Sequence, residues 1–244
     1  MSDKWYQYWF NSSFYHKLYF DRDEKEAEAF IFKLIAHINP VEKSRMMDVA
    51  CGKGRHSVTL ASMGYDVIGI DISPDSISFA KQFEKENLEF FQHDLRLPFR
   101  INYFDYVFNF FTSFGYFDTR REHDDAIRTL ASSLKKGGII VFDYLNVHYI
   151  EDRLVPVEEK IIDSTHYQIN RWHDETHFYK KIKVIDPSLS EPIEYTEKVA
   201  KFSLGDFTEM LSYNKIQVQE VFGNYQLAHY DYRKSPRMVI IGKK

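Results

Sequence analysis

Short apolar runs alternate with helix-patterned segments through the first 142 residues, and this alternation constrains the fold more than any other feature. Strands are predicted at residues 46–50, 65–70, 88–92, 103–111 and 138–142. Helical spacing of apolar residues predicts helices at 24–38, 57–63, 74–85 and 120–134. Alternation of this kind favours a parallel sheet that is covered by helices on both of its faces, that is, an α/β fold.

The sequence changes in texture after residue 150. Three polar runs rich in β-prone residues, 166–172, 175–185 and 192–202, predict an antiparallel sheet. The α/β pattern then resumes with a helix at 204–213 and strands at 216–222 and 238–241. We therefore predict one α/β domain from residues 1–150 and 204–244, with residues 151–203 inserted as a separate subdomain.

Charge and composition narrow the partners and the location of the chain. It has 244 residues, and 32 Lys and Arg against 36 Asp and Glu give a net charge of -4, so nucleic acid and anionic membranes are disfavoured. The first twenty residues hold no apolar core of the kind a signal peptide needs, and the apolar runs are too short to span a membrane. Cys51 is the only cysteine, and the ten histidines show no zinc-site spacing. We expect a cytoplasmic protein without a metal.

A glycine-bearing turn follows the first predicted strand. Asp48 stands at the strand end, and Gly52 and Gly54 form a Gly-x-Gly pair whose backbone a ligand can approach closely. The second strand ends at Asp71, where a carboxylate can accept hydrogen bonds from both hydroxyls of a ribose. The third strand is followed by Asp94, which is placed to accept a hydrogen bond from an adenine amine. Together these strand ends predict an adenosine site.

A dinucleotide would also place a ribose at Asp71. The sequence of the glycine turn, however, distinguishes a dinucleotide from other ligands that contain adenosine. The dinucleotide fingerprint needs a third glycine, where this chain has Ser57. Asp48 would repel a pyrophosphate, whereas it can hold the ammonium group of an amino acid. A ligand that joins adenosine to methionine is favoured, and a nicotinamide-dependent oxidoreductase is the alternative.

These residues resemble the class I S-adenosylmethionine-dependent methyltransferases, in their small-molecule branch. The resemblance rests on residues 48–54, Asp71, Asp94, 113–116 and 134–138. It implies a doubly wound, Rossmann-like, mostly parallel sheet of seven strands with the last strand antiparallel. It also implies that S-adenosylmethionine is the cofactor, that S-adenosylhomocysteine is the product, and that residues 151–203 form a flap over the methyl acceptor. The flap is expected to contribute little to cofactor affinity.

The resemblance also implies roles for single residues around the cofactor. Residues 1–23, rich in aromatic side chains, would close as a lid, and a tyrosine hydroxyl and the Arg22 guanidinium would reach the methionine carboxylate. The alternative for this segment is an ordinary helix start on the surface. The predicted cofactor-binding residues are Tyr15, Tyr19, Arg22, Asp48, Ala50, Gly52, Gly54, Asp71, Ile72, Asp94, Leu95 and Asn109.

Aromatic residues crowd the segment after the fourth strand, where the resemblance places the acceptor. Aromatic faces attract a sulfonium cation and would line an apolar pocket. The predicted wall consists of Tyr15, Phe110, Phe114, Tyr116 and Tyr144. Because an amine or hydroxyl acceptor must lose a proton, Tyr116 is the first candidate to direct it, followed by His148 and Asn146. Some relatives carry His at the position of Tyr116, so no histidine base is carried over, and His56 is expected to be packed.

The acceptor is expected to be a small molecule methylated on N or O. A nucleic-acid methyltransferase acting on RNA is one alternative, although segment 109–112 lacks the Pro-Pro-aromatic pattern of enzymes that methylate adenine in DNA. A non-catalytic S-adenosylmethionine-binding regulator is the other. Whether the chain is a monomer or a homodimer stays open.

Overall fold

The computed structural model describes residues 5–19 and 24–244, which contain eleven strands and eight α-helices. The strands are β1 Arg45–Val49, β2 Asp66–Asp71, β3 Leu88–Gln92, β4 Phe104–Asn109, β5 Leu134–Leu145, β6 Val157–Ile162, β7 Thr165–His173, β8 His177–Ile185, β9 Ile193–Ala200, β10 Gln217–Phe222 and β11 Arg237–Lys243. The helices are α1 Trp5–Asn11, α2 Ser13–Leu18, α3 Glu24–Ile38, α4 Arg55–Ser62, α5 Pro74–Ala80, α6 Arg120–Ser133, α7 Val147–Asp152 and α8 Leu204–Tyr213. A short 3-10 turn, Lys81–Phe83, follows α5.

Seven strands form the central sheet in the order β10-β11-β5-β4-β1-β2-β3. Strands β1 to β5 pair in parallel, whereas β11 is antiparallel to both of its neighbours, β5 and β10. The predicted doubly wound α/β sheet with an antiparallel last strand is confirmed. The strand order reverses between β1 and β4, so the crevice for a ligand lies at the carboxyl ends of these two strands.

Burial on both faces of the central sheet explains why its strands are apolar runs. Met46 and Met47 point to opposite faces of β1, and both are fully buried. On one face, α3 packs through Phe30, Ile31 and Leu34. Because helices cover both faces, only the ends of the strands are open to a ligand.

The second sheet has four antiparallel strands in the order β6-β7-β8-β9. The sequence predicts three of them and misses β6, because that strand is polar and its apolar residues Val157 and Ile161 are exposed. The predicted flap is therefore a four-stranded antiparallel sheet, which lies between α7 and α8 in the chain. Its strand β9 is tied to the central domain, since the Ala200 amide donates to the Gly115 carbonyl over 2.8 Å and the Tyr144 hydroxyl donates to the Ala200 carbonyl.

Two predicted elements differ from the structure by more than two residues at an end. The helix predicted at 74–85 ends at Ala80 and tightens into the 3-10 turn. Strand β5 begins at Leu134, four residues before the predicted start, because the Leu134 pairing with Phe104 precedes a bulge. Gly137, with a φ of 80°, lies within this bulge.

Residues 5–19 dock on the flap. Trp9 is fully buried, and its indole N–H donates to Glu197 Oε1 on β9 over 2.7 Å. The Tyr167 hydroxyl on β7 donates to the Phe14 carbonyl over 3.1 Å. Helices α1 and α2 thus belong to the flap as much as to the α/β domain, which their aromatic composition alone did not show. Among the helices described, none combines the length and the apolar character that crossing a membrane requires.

Candidate active site

A cavity of about 760 Å³ opens at the carboxyl ends of the parallel strands. Ten predicted site residues line it: Tyr15, Tyr19, Asp48, Ala50, Gly52, Asp71, Ile72, Asp94, Leu95 and Tyr116. Its walls come from the glycine turn, the segment after β4, helix α2 and the flap. The sequence prediction therefore converges on one site, and the cavity is large enough for a nucleoside-sized ligand with a small second molecule.

The glycine turn after β1 has the left-handed backbone that a close approach needs. Ala50, Gly52 and Gly54 have φ values of 56°, 56° and 84°. Gly54 itself does not line the cavity, which differs from its predicted contact with the cofactor. It instead allows the Phe90 ring to pack against the start of α4, because a Cβ at Gly54 would lie 2.5 Å from that ring.

Asp48 is a buried carboxyl group at the end of β1. It is 1% exposed, and the Ser57 hydroxyl donates to its Oδ2 over 2.6 Å. Burial, with a further contribution from Asp71, raises the pKa of Asp48 to about 7. Ser57, where a dinucleotide site would have glycine, is thus the hydrogen-bond partner of Asp48, a role that sequence analysis did not assign. A cation bound here would favour the ionised form of Asp48.

Asp71 connects the end of β2 to the glycine turn. The amide of Gly52 donates to its Oδ2 and the amide of Ser73 to its Oδ1, both over 2.8 Å. Burial raises the pKa of Asp71 above its ordinary value, and the backbone donors oppose that rise. Each carboxylate oxygen can accept a second hydrogen bond, so the group can still bind two hydroxyls.

Asp94 and Leu95 line the cavity after β3, as predicted. The Asp94 carboxylate is also held by Arg96, whose Nε donates to Oδ1 over 3.0 Å. Phe79 and Phe83 line the same side, with their rings 5.7 Å apart. Sequence analysis missed these two rings, because helical spacing alone did not show that they face a ligand and not the core.

The segment after β4 is strained where it borders the cavity. Phe111 and Thr112 have φ values of 56° and 57°, which non-glycine residues seldom adopt. The Phe111 amide donates to Asp143 Oδ2 over 2.8 Å, and Arg237 donates to the Thr112 hydroxyl over 2.9 Å. Strain held in this way is common at binding sites.

Asp143 and Arg237 form the ion pair behind this strained segment. Arg237 Nη2 lies 2.7 Å from Asp143 Oδ1, and the Asp143 side chain is fully buried. The Tyr225 hydroxyl donates to Asp143 Oδ2 over 3.1 Å. Sequence analysis missed the pair, although a carboxyl group inside the apolar run of β5 was a signal for a buried partner.

Aromatic side chains of the segment after β4 and of α1 enclose the side of the cavity that is predicted to hold the acceptor. Phe110, Phe114 and Tyr116 line it, and the Phe10 ring lies 5.3 Å from the Tyr116 ring. Tyr144, predicted to belong to this wall, does not line the cavity but is buried behind it. Its hydroxyl is bonded to the flap, and burial raises its pKa well above the usual value.

Besides Gly54 and Tyr144, three more predicted residues lie outside the cavity. Asn109 is buried and donates to the Val49 carbonyl over 3.2 Å. Asn146 donates to the carbonyls of Tyr232 and Ser235 over 2.9 and 2.8 Å, which secures the loop before β11. His148 lies on the surface, with its ring 5.8 Å from that of Tyr232. The structure thus gives Asn146 and His148 no place beside an acceptor.

Arg22 falls outside the described residues. His56 is 8% exposed and stacks on Phe111, with ring centroids 5.0 Å apart, in line with the expected packing. Burial lowers the pKa of His56 to about 3, so the imidazole is neutral. Within residues 5–19 and 24–244, no group of three or more His, Cys, Asp or Glu side chains is arranged to hold a metal ion.

The comparisons with known proteins agree with this architecture. Residues 46–138 match the model of a methyltransferase domain. The chain is 35% identical over 108 residues to the methyltransferase-like protein YqeM of Bacillus subtilis (strain 168), a match that covers 42% of each chain. It is 32% identical over 103 residues to the dTDP-3-amino-3,4,6-trideoxy-alpha-D-glucopyranose N,N-dimethyltransferase of Streptomyces venezuelae, which covers 42% of this chain and 43% of the relative. The chain thus spans less than half the length of these two relatives.

A solved S-adenosylmethionine-dependent methyltransferase from Clostridium acetobutylicum ATCC 824 shares the fold over almost the whole chain. The superposition has a TM-score of 0.79 at 18% identity and covers 94% of this chain and 96% of the other. Residues 46–138 thus match a methyltransferase domain, and the chain as a whole has the fold of this methyltransferase structure.

Proposed function

We propose that this protein transfers the methyl group of S-adenosylmethionine to a nitrogen or oxygen atom of a small molecule. The observation that carries the proposal is that one cavity is lined by carboxyl groups and by aromatic side chains. The buried carboxyl group of Asp48 and the half-buried one of Asp71 lie at its glycine turn, and an aromatic wall lies under the flap. The first suits the amino-acid and ribose groups of the cofactor, and the second suits an acceptor.

The cofactor would be held mainly through carboxylates. Asp71 accepts hydrogen bonds from the ribose hydroxyls, Asp48 holds the methionine ammonium, and Asp94 accepts a hydrogen bond from the adenine amine. Tyr15 and Tyr19 cover the cavity from helix α2 and the residue after it. When bound, S-adenosylmethionine supplies a methyl group on a good leaving group.

The protein's remaining task is to align the acceptor and exclude water. Phe10, Phe110 and Phe114 form an apolar wall on the acceptor side of the cavity. Tyr116 is the candidate that directs the proton leaving an amine or hydroxyl, because its phenol lies on this wall. The name of the Streptomyces venezuelae relative describes transfer to the nitrogen of a sugar nucleotide, which supports a small-molecule acceptor.

An acceptor screen tests the proposal. The purified protein is incubated with S-adenosylmethionine and a panel of amines, hydroxy acids and phenols, and S-adenosylhomocysteine is measured above the acceptor-free rate. We expect acceptor-dependent product that disappears when Asp71 is replaced by Asn. Cofactor binding with no turnover on any acceptor would support a regulatory binder, and turnover on RNA alone would support a nucleic-acid methyltransferase.

A further inference from the structure

The flap contributes one carboxylate to the cavity, and the proposed function does not use it. Glu197 on β9 is the one cavity-lining residue that comes from residues 151–203 among those described. Its side chain is 15% exposed, so it is enclosed but not sealed from the cavity. A carboxylate in such surroundings needs partners, and the hydrogen bonds that it accepts account for one of its two oxygens.

Oxygen Oε1 of Glu197 is fully engaged. The Trp9 indole N–H and the Tyr19 hydroxyl each donate to it over 2.7 Å. These bonds join α1 and the end of α2 to the flap, and they fix the orientation of the carboxylate. The side chain is thus preorganised before any ligand binds.

Oxygen Oε2 of Glu197 receives no hydrogen bond from the described part of the chain. It forms a long ion pair with Lys180 on the neighbouring strand β8, whose Nζ lies 4.0 Å away, beyond hydrogen-bond distance. Lys180 does not line the cavity, and its ammonium donates a hydrogen bond to the Tyr19 hydroxyl and lies 4.5 Å from the centroid of the Tyr19 ring. The cavity side of Glu197 therefore retains acceptor capacity.

Aromatic rings connect this carboxylate to the predicted acceptor wall. The Tyr19 and Tyr15 ring centroids are 4.8 Å apart, those of Tyr15 and Phe10 are 5.1 Å apart, and Phe10 reaches Tyr116 at 5.3 Å. A fixed carboxylate beside aromatic faces is an environment that stabilises an organic cation, through charge-assisted hydrogen bonds and cation–π attraction.

We infer that Glu197 binds an ammonium group of the methyl acceptor, and that the acceptor is therefore an amine. The inference rests on the proposed function. An ammonium group is also present in the cofactor, but Asp48 and the glycine turn offer a site for that group on the α/β domain. Glu197 belongs to the strand that bonds to Gly115, next to Tyr116, which is the acceptor side.

The test compares matched cationic and neutral probes on the complex with S-adenosylhomocysteine. Benzylamine and benzyl alcohol form one pair, and cyclohexylamine and cyclohexanol the other. We expect each amine to bind the wild-type complex about tenfold or more tightly than its alcohol, the size of effect that a hydrogen bond to a charged group supports. Glu197→Gln keeps an oxygen for Trp9 and Tyr19 while it removes the charge, so it should abolish the preference.

Glu194→Gln is the matched control. Glu194 lies on the same strand three residues away, so its side chain is on the other face, where it pairs with Lys181 over 2.7 Å outside the cavity. This variant should keep the preference for amines. Melting temperatures of both variants report whether the fold is intact.

Titration of S-adenosylmethionine separates the two sources of an ammonium group. Glu197→Gln should leave cofactor affinity within about twofold, because we assign the cofactor ammonium to Asp48. If cofactor affinity falls and the preference for amines stays, Glu197 binds the cofactor and the inference is wrong. Equal binding of amine and alcohol to the wild type, or no binding of either, also contradicts it. Failure of the wild type to bind S-adenosylhomocysteine would instead contradict the proposed function.

Discussion

Asp48 shows how burial sets the charge of a single residue. With a pKa of about 7 in the folded chain against 3.8 ordinarily, its ionisation opposes folding. The contribution of Asp48 to the free energy of unfolding is most favourable below about pH 4, where the carboxyl group is protonated in both the folded and the unfolded chain. This contribution is lost as the pH rises towards 7. This difference between the two pKa values lowers the free energy of unfolding by an amount on the order of 4 kcal/mol at pH 8.

Asp48→Asn should therefore stabilise the unliganded protein in a pH-dependent way. The variant stays neutral, so its melting temperature relative to the wild type should be higher at pH 8 than at pH 5. Thermal unfolding at both pH values measures the difference between the two proteins, in which titration of other groups cancels. A difference that does not change with pH would show that Asp48 keeps its ordinary pKa.

Tyr116→Phe separates ring packing from proton handling at the acceptor. The Phe10 contact needs only the ring, and the variant keeps it. We expect cofactor affinity within about twofold of the wild type and turnover lowered by roughly 10- to 1000-fold. Single-turnover rates with an acceptor from the screen measure the effect. Unchanged turnover would mean that Tyr116 is part of the wall only.

The ion pair between β5 and β11 holds the strained segment after β4. Arg237→Met would leave the fully buried Asp143 without its cation, so we expect a loss of about 3 to 5 kcal/mol in unfolding free energy. Arg120, whose ion pairs with Asp124 and Glu209 are exposed, provides the control. Arg120→Met should cost at most about 1 kcal/mol. Equal losses in denaturant titrations would argue against the role given to Arg237.

The glycine turn and helix α4 meet at Gly54, where both backbone and space matter. Gly54→Ala should destabilise the protein by about 1 to 3 kcal/mol, since a φ of 84° strains alanine and its Cβ meets the Phe90 ring. Gly64→Ala has a similar φ of 92° with nothing within 4 Å of the added Cβ. Gly64→Ala adds backbone strain but no steric contact, so Gly54→Ala should cause the larger loss of unfolding free energy. The opposite order would mean that Phe90 moves away freely.

The sequence predicts elements well where burial imposes a period. Strand β3 and helix α8 match their predicted bounds, because apolar residues repeat there at a regular spacing. Strand β6 escapes prediction since it is an edge strand with exposed apolar residues. The docking of α1 on β9 also escapes it, because it depends on the pair of Trp9 and Glu197, 188 residues apart.

At the scale of the whole molecule, helices α1 and α2 and the flap contribute side chains to the same cavity. From the sequence, the flap is expected to add little to cofactor affinity. In the structure, however, Tyr19 bonds to Glu197 of the flap, and both line the same cavity as Asp71. Removing the flap would also remove the surface on which residues 5–19 pack, so a deletion is expected to weaken cofactor binding as well as turnover.

Site residues followed the same rule as the fold. Asp48 and Asp71 line one cavity because the α/β pattern fixes where strands end, and the carboxyl ends of parallel strands meet at one edge. Asn146 and His148 were placed by their position after β5 alone, and the structure shows that the chain turns away from the cavity there. Direction of a side chain after a strand depends on tertiary contacts that no local pattern encodes.

Isothermal titration with S-adenosylmethionine, S-adenosylhomocysteine and NAD tests the central claim most directly. We expect the first two to bind at one site, NAD not to bind, and Asp71→Asn to weaken the binding of both S-adenosyl ligands by about tenfold or more through the lost charge-assisted hydrogen bonds. Binding of NAD without binding of S-adenosylmethionine would contradict the account.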